Sequence, residues 1–172
     1  MPATPNEKLL KIFQYALNQE KTGLSFFQTS LERLGTGAAV SAFKKLIEEE
    51  KKHVLFISGI LRDIEEGGEI SASALQAITI EPSNFFDERA KTEFLAESVA
   101  SSMIPDVTVF NTALLIERDL SNFYAARAAE LAAGPAKAAL TTLATWEKGH
   151  EHFFQAMRDE LSRNYDAMPW GG

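Results

Sequence analysis

The sequence predicts an all-α protein: a four-helix bundle built from two repeated helical hairpins joined by a long crossover that contains a short helix. Three observations carry this expectation. Apolar residues recur at helical intervals along four long stretches, glycine-containing breaks separate the stretches, and the second half of the chain repeats the first.

The first stretch covers residues 6–34, with Leu9, Leu10, Phe13, Leu17, Leu24, Phe27 and Leu31 on one stripe. Gly35 to Gly37 breaks it. A second amphipathic pattern then runs from residue 38 through Phe43, Leu46, Ile47, Val54, Ile57 and Leu61 to a stop at Gly67 and Gly68. Two long helices on a short turn make a hairpin, spanning residues 6–66. Residues 67–105 are less regular, punctuated by Pro82 and Pro105, and a helix is expected over residues 85–103. A third long helix is expected over residues 107–131 and a fourth over residues 136–164, with Gly134 and Pro135 between them. They form the second hairpin, residues 106–165, and the tail of residues 166–172 is expected to fray.

Shifting the chain by 97 places aligns residues 10–64 with 107–161 without a gap. The register pairs Phe13 with Phe110, Leu17 with Leu114, Glu20 with Glu117, Gly37 with Gly134, Leu46 with Leu143, Glu50 with Glu147, His53 with His150 and Phe56 with Phe153. Two amphipathic hairpins most simply bury their stripes against each other. The 172 residues, 45% of them hydrophobic, then make one domain spanning residues 1–172.

Composition narrows the chemistry. A net charge of −7 and a sequence pI near 5.0 exclude nucleic acid as the main partner, because phosphate binding needs a basic face. Zero cysteines exclude disulfides and thiolate metal sites. The N-terminus has no apolar core of signal-peptide length and no run approaches the roughly 18 apolar residues of a membrane span. The expectation is a cytoplasmic protein.

The repeat also carries the candidate site. Residues three apart on a helix project from one face, one turn apart, so Glu50 with His53 and Glu147 with His150 each form a pair able to bind one ion. Glu20 and Glu117 fall on the apolar stripes of their helices and therefore point inward. Four carboxylates in a bundle core cost several kcal/mol each unless compensated, and two divalent cations would neutralise all four. In a metal-free bundle, burial and mutual repulsion are expected to raise the pKa values of these carboxylates.

Glu20, the Glu50-x-x-His53 pair, Glu117 and the Glu147-x-x-His150 pair resemble the dinuclear carboxylate site of the ferritin-like superfamily, and the flanking "EEEKKH" and "IERDLSNFYAARAAE" are most similar to its rubrerythrin-like branch. The resemblance implies that Glu50 and Glu147 bridge two metals, while Glu20 with His53 and Glu117 with His150 each complete one shell. It implies two iron ions, with manganese or zinc as alternatives for the same ligands. It implies an oxidoreductase reacting with O2 or hydrogen peroxide; the alternatives are an iron-binding or storage protein with ferroxidase activity and a metal-stabilised scaffold without turnover.

Two departures matter. Without cysteine there is no rubredoxin-type iron centre, so electrons would come from a separate donor protein or from ferrous iron itself. Rubrerythrins carry a further glutamate one turn after the helix-three ligand, where this chain has Leu120, with Gly23 as its repeat partner. That puts efficient peroxide reduction by ligand switching in doubt. Cage-forming ferritins typically add a short fifth helix; the short tail here favours a homodimer.

Neighbouring residues are read as follows. Tyr124, seven places after Glu117, either hydrogen-bonds a ligand carboxylate or packs as a core aromatic like its partner Phe27. His152 and Glu151 are expected at the surface, and Trp146 is expected to serve packing or an interface.

Overall fold

The computed structural model describes residues 5–33, 38–67, 70 and 104–166. It contains the four long helices: α1 (Pro5–Arg33), α2 (Ala38–Glu66), α3 (Ile104–Glu130) and α4 (Pro135–Asp166). Together they form a ferritin-like four-helix bundle. The expected crossover helix over residues 85–103 and the frayed tail beyond Asp166 lie outside the described residues. Among the described residues, no helix is long and apolar enough to cross a membrane.

Helix α3 starts at Ile104, three residues earlier than the apolar pattern suggests, and takes in Pro105. Proline is tolerated there because the first-turn N–H groups have no intrahelical acceptor. Between α3 and α4, Pro135 is the first residue of the new helix, and the Ala138 N–H donates to the Gly134 carbonyl at 3.0 Å. The Lys137 ammonium donates back to the Leu131 carbonyl at 3.2 Å, satisfying an acceptor that the end of α3 leaves open.

Helix α1 packs along α2, and α3 along α4. One apolar cluster joins the end of α1 (Phe27), the start of α2 (Phe43), the start of α3 (Phe110) and the later part of α4 (Phe154). The other joins the start of α1 (Phe13), the end of α2 (Ile57), the end of α3 (Tyr124) and the start of α4 (Leu140). Helices α2 and α3 therefore run in the same direction. Gly67 closes α2, its N–H donating to Asp63 at 3.0 Å, and Ile70 is already buried in the second cluster.

The heptad spacing places the two clusters on either side of one polar level. Each inward acid has a fully buried apolar or aromatic residue seven places before and seven after it: Phe13 and Phe27 around Glu20, Phe43 and Ile57 around Glu50, Phe110 and Tyr124 around Glu117, Leu140 and Phe154 around Glu147. Two helical turns return a side chain to nearly the same azimuth, so four stripes with an acid at the same level converge on one layer.

Phe154 is the centre of the first cluster. Its ring lies 5.9 Å from Phe27, 5.6 Å from Phe43, 6.0 Å from Phe110 and 5.3 Å from Phe153, in mixed stacked and edge arrangements. Phe154→Ala is expected to destabilise the chain by about 3–5 kcal/mol, the usual cost of emptying an aromatic site in a packed core. Denaturant unfolding measures it, and a loss below about 1 kcal/mol would mean that this layer is not close-packed.

Candidate metal centre

The four helices deliver Glu20 from α1, Glu50 and His53 from α2, Glu117 from α3, and Glu147 and His150 from α4 to the middle of the bundle. All six are buried, the four glutamates at 0% exposure and the histidines at 1% and 5%. The sequence repeat becomes an approximate twofold arrangement. His53 Nδ1 lies 2.8 Å from Glu147 Oε1, and His150 Nδ1 lies 2.9 Å from Glu50 Oε1.

The carboxylates fall into two kinds. Glu147 offers one oxygen to each histidine, Oε1 to His53 at 2.8 Å and Oε2 to His150 at 3.6 Å. Glu50 does the same in reverse, Oε1 at 2.9 Å from His150 and Oε2 at 3.5 Å from His53. Of the two histidines, Glu20 approaches His53, at 3.5 Å, and Glu117 approaches His150, at 3.4 Å. Two acids span the pair of imidazoles and two flank it. The imidazole rings are themselves nearly parallel, 5.3 Å apart.

These close approaches do not satisfy the oxygens. Glu20 Oε2 and both oxygens of Glu50, Glu117 and Glu147 are buried and accept no hydrogen bond of sound geometry. A buried acceptor left unsatisfied costs about 1–3 kcal/mol, more when charged, so seven in one layer are not tolerated without compensation. The donor set is hard oxygen plus imidazole, which divalent iron, manganese and zinc all accept. One ligand atom from each of Glu50, His53, Glu147 and His150 lies within 4.8 Å of the others, close enough to hold a metal ion.

Around the six, Tyr124 takes the hydrogen-bonding role rather than the purely packing one: its hydroxyl donates to Glu20 Oε1. Trp146 is half-buried and stacks on His53, centroids 5.0 Å apart and planes at 14°, with Phe56 against its edge at 5.2 Å. Leu120 is buried in the second apolar cluster. His152 is exposed.

Glu151 differs from its expected surface position. It is buried beneath Arg118, whose Nε donates to it at 3.0 Å, and Lys148, whose Nζ donates at 2.6 Å. Burial alone would raise its pKa, but Lys148 and Arg118 outweigh that and leave it lowered. Reading each side chain against its own helix missed this contact, because the deciding cation, Arg118, sits on the neighbouring helix. Arg118 directly follows Glu117, so the clip fastens α3 to α4 beside two of the clustered acids.

The charge distribution also differs from the expectation that every inward carboxylate has a raised pKa. Burial, followed by the Glu147 charge, pushes Glu20 up to about 8. Burial and the charges of Glu50 and Glu147 push Glu117 well up. Burial and Glu147 would raise Glu50 too, but His53 and His150 leave it below its ordinary value. Burial would raise Glu147, and the same two histidines hold it well down. Burial opposes charge on His53 and His150, yet the surrounding carboxylates, Glu147 foremost for His53 and Glu117 for His150, raise both well above 6.5. The shifts favour protons on Glu20, Glu117 and the two imidazoles and charge on Glu50 and Glu147, an arrangement in which the charges of the metal-free layer balance.

The fold defines a ferritin-like bundle, and the site is a buried glutamate–histidine cluster fit to hold metal. The rubrerythrin family model matches residues 11–158 of the 172, and the chain belongs to that family. No curated protein and no solved structure matches it.

The pKa shifts fix the sign of the metal-free protein's pH dependence. Glu20 and Glu117 keep protons that the unfolded chain loses above 4.5, so their contribution falls as pH rises from there, through about 8 for Glu20. The two histidines contribute fully below 6.5 and lose that contribution as pH rises through their higher folded values. Glu50 and Glu147 contribute above 4.5 and lose that contribution as pH falls through their lower folded values. Chelator-treated protein should therefore melt highest near about pH 5 and progressively lower toward pH 8. A melting temperature that climbs steadily over that interval would contradict this charge distribution.

Proposed function

We propose that the chain is a di-metal carboxylate protein, with two iron ions as its cofactor, that reacts with O2 or peroxide as a rubrerythrin-like oxidoreductase. The observation that carries this reading is the layer of seven buried, unsatisfied carboxylate oxygens facing two imidazoles in a chain of this family. Glu20, Glu50, His53, Glu117, Glu147 and His150 are the ligands. Glu50 and Glu147, whose two oxygens address different histidines, would hold both ions, and Glu20 with His53 and Glu117 with His150 would each hold one. When bound and ferrous, the pair supplies electrons and Lewis acidity for reducing the oxidant.

The protein's own part is to hold the ligands and exclude water. The aromatic layer of Phe27, Phe43, Phe110 and Phe154 closes one side, and Phe13, Ile57, Tyr124 and Leu140 the other. Two divalent ions would balance the charge of four protons given up by Glu20, Glu117, His53 and His150, the groups whose pKa values are raised. The layer stays neutral in both states. A cytoplasmic homodimer receiving electrons from a separate donor protein completes the reading.

One observation favours a second reading, iron handling with ferroxidase activity or a metal-stabilised scaffold. Leu120, where rubrerythrins carry a further glutamate, is buried among apolar neighbours and offers no oxygen.

Anaerobic loading with Fe²⁺ near pH 7 is expected to give two ions per chain and to release about four protons. It should raise the melting temperature by an amount that shrinks as pH falls toward about 4.5, because the ligands must then be deprotonated against their ordinary pKa values. Replacing both His53 and His150 by Ala should abolish or sharply weaken loading. Two ions still bound tightly by that variant would sink the ligand assignment.

Peroxide should oxidise the ferrous protein slowly relative to rubrerythrins that have the further glutamate, and Leu120→Glu should speed it. Stopped-flow mixing reads both rates. A wild-type rate equal to that of a full rubrerythrin would show that the missing carboxylate is irrelevant, and no oxidation by peroxide or O2 would leave the scaffold.

A further inference from the structure

The repeat is broken at positions that touch the cluster, Tyr124 first among them. We propose that the two halves of the centre bind metal unequally: the Glu20–His53 half fills first, and the Glu117–His150 half holds its ion more loosely. The proposal rests on the di-metal reading above.

Tyr124 occupies the same register on α3 as Phe27 does on α1, seven places after Glu117 and Glu20 respectively. Its hydroxyl crosses the bundle to Glu20 Oε1. That bond takes up the outer oxygen and leaves Oε2 directed at the centre, 3.5 Å from His53 Nδ1. A phenylalanine has no hydroxyl to return the favour, and both oxygens of Glu117 accept no hydrogen bond. Glu20 is therefore oriented before metal arrives by a group outside the cluster, whereas Glu117 leans on His150, 3.4 Å away and itself one of the six, which has to turn from it to the metal on binding.

On the same side, His53 is held by the Trp146 indole stacked on its face. At the register position of Trp146 the first hairpin has Glu49, which pairs with Lys52 at 2.8 Å. Trp146 adds support to the Glu20–His53 half, but the contrast between Glu20 and Glu117 carries the argument. Partners that orient a metal ligand are typically worth about 10- to 100-fold in affinity, so the two steps should differ by about tenfold or more.

Tyr124 acts here as a positioning residue, and metal binding itself reads its effect without any turnover. Co²⁺, a redox-stable divalent probe, is titrated into the metal-free full chain and followed by calorimetry and visible absorption. Wild type should show two steps of unequal affinity. Glu117→Ala should keep the tight step, while Glu20→Ala should leave only the weak one. Tyr124→Phe should weaken the tight step by about tenfold and leave the weak step unchanged, with helical circular dichroism confirming the fold. Should either alanine variant fail to fold, Tyr124→Phe alone decides, since it must narrow the gap between the two steps. Two wild-type steps of equal affinity, equal binding by the two alanine variants, or a tight step indifferent to Tyr124→Phe overturns the proposal while leaving the di-metal reading intact. A wild-type chain that binds no Co²⁺ overturns both.

Discussion

Four carboxylates at one level of an apolar bundle are the constraint from which the rest of this structure follows. Alone, four charged acids there would repel one another without solvent to screen them. The chain resolves this with two histidines one turn further along α2 and α4, which favour the charged form of Glu50 and Glu147 while burial favours the protonated form of Glu20 and Glu117. Neutrality is a property of the layer as a whole. Removing His53, His150, Glu50 or Glu147 would leave a buried charge uncompensated, a cost of about 3–5 kcal/mol, whereas exchanging protons for divalent cations keeps the balance.

The same constraint explains why the flanking layers are so aromatic. An electrostatic arrangement of this kind is specific only if water cannot relax it, and close-packed rings on both sides keep the local dielectric low. Phe27, Phe43, Phe110 and Phe154 seal one side with ring centroids 5.5 to 6.0 Å apart. The aliphatic and aromatic residues around Phe13, Ile57 and Leu140 seal the other. Both layers come from the heptad neighbours of the acids, so one stripe pattern sets the packing and the site together.

That coupling is why the bundle and the convergence of the six side chains were legible in the sequence. A carboxylate seven residues from a core apolar or aromatic residue in each direction has nowhere to point but inward, and the 97-residue repeat shows four such positions in register. The features that escaped are those decided between helices. Glu151 is polar, and its burial depends on Arg118 of α3 reaching over it. The split of the carboxylate pKa values depends on which oxygen faces which imidazole across the bundle, a matter of ångströms that periodicity does not encode. Whether Tyr124 packs or bonds was open for the same reason: both outcomes share one register and differ only in what the opposite helix presents.

Duplication gives a symmetric site at once, and its later history is written in the positions where the copies disagree. The six clustered glutamates and histidines match between the copies, and the flanking positions are apolar or aromatic in both. Tyr124 against Phe27 and Trp146 against Glu49 lie outside the six, where a substitution alters how a clustered side chain is held without changing the charge of the layer. They are the positions at which two equivalent half-sites can become different at least cost to folding. The hydroxyl of Tyr124 lies on a residue that is also fully buried core, so the same side chain packs one cluster and orients an acid of the layer beside it. Functional asymmetry in such a bundle is therefore expected to sit one step outside the ligands, on side chains whose first duty is packing.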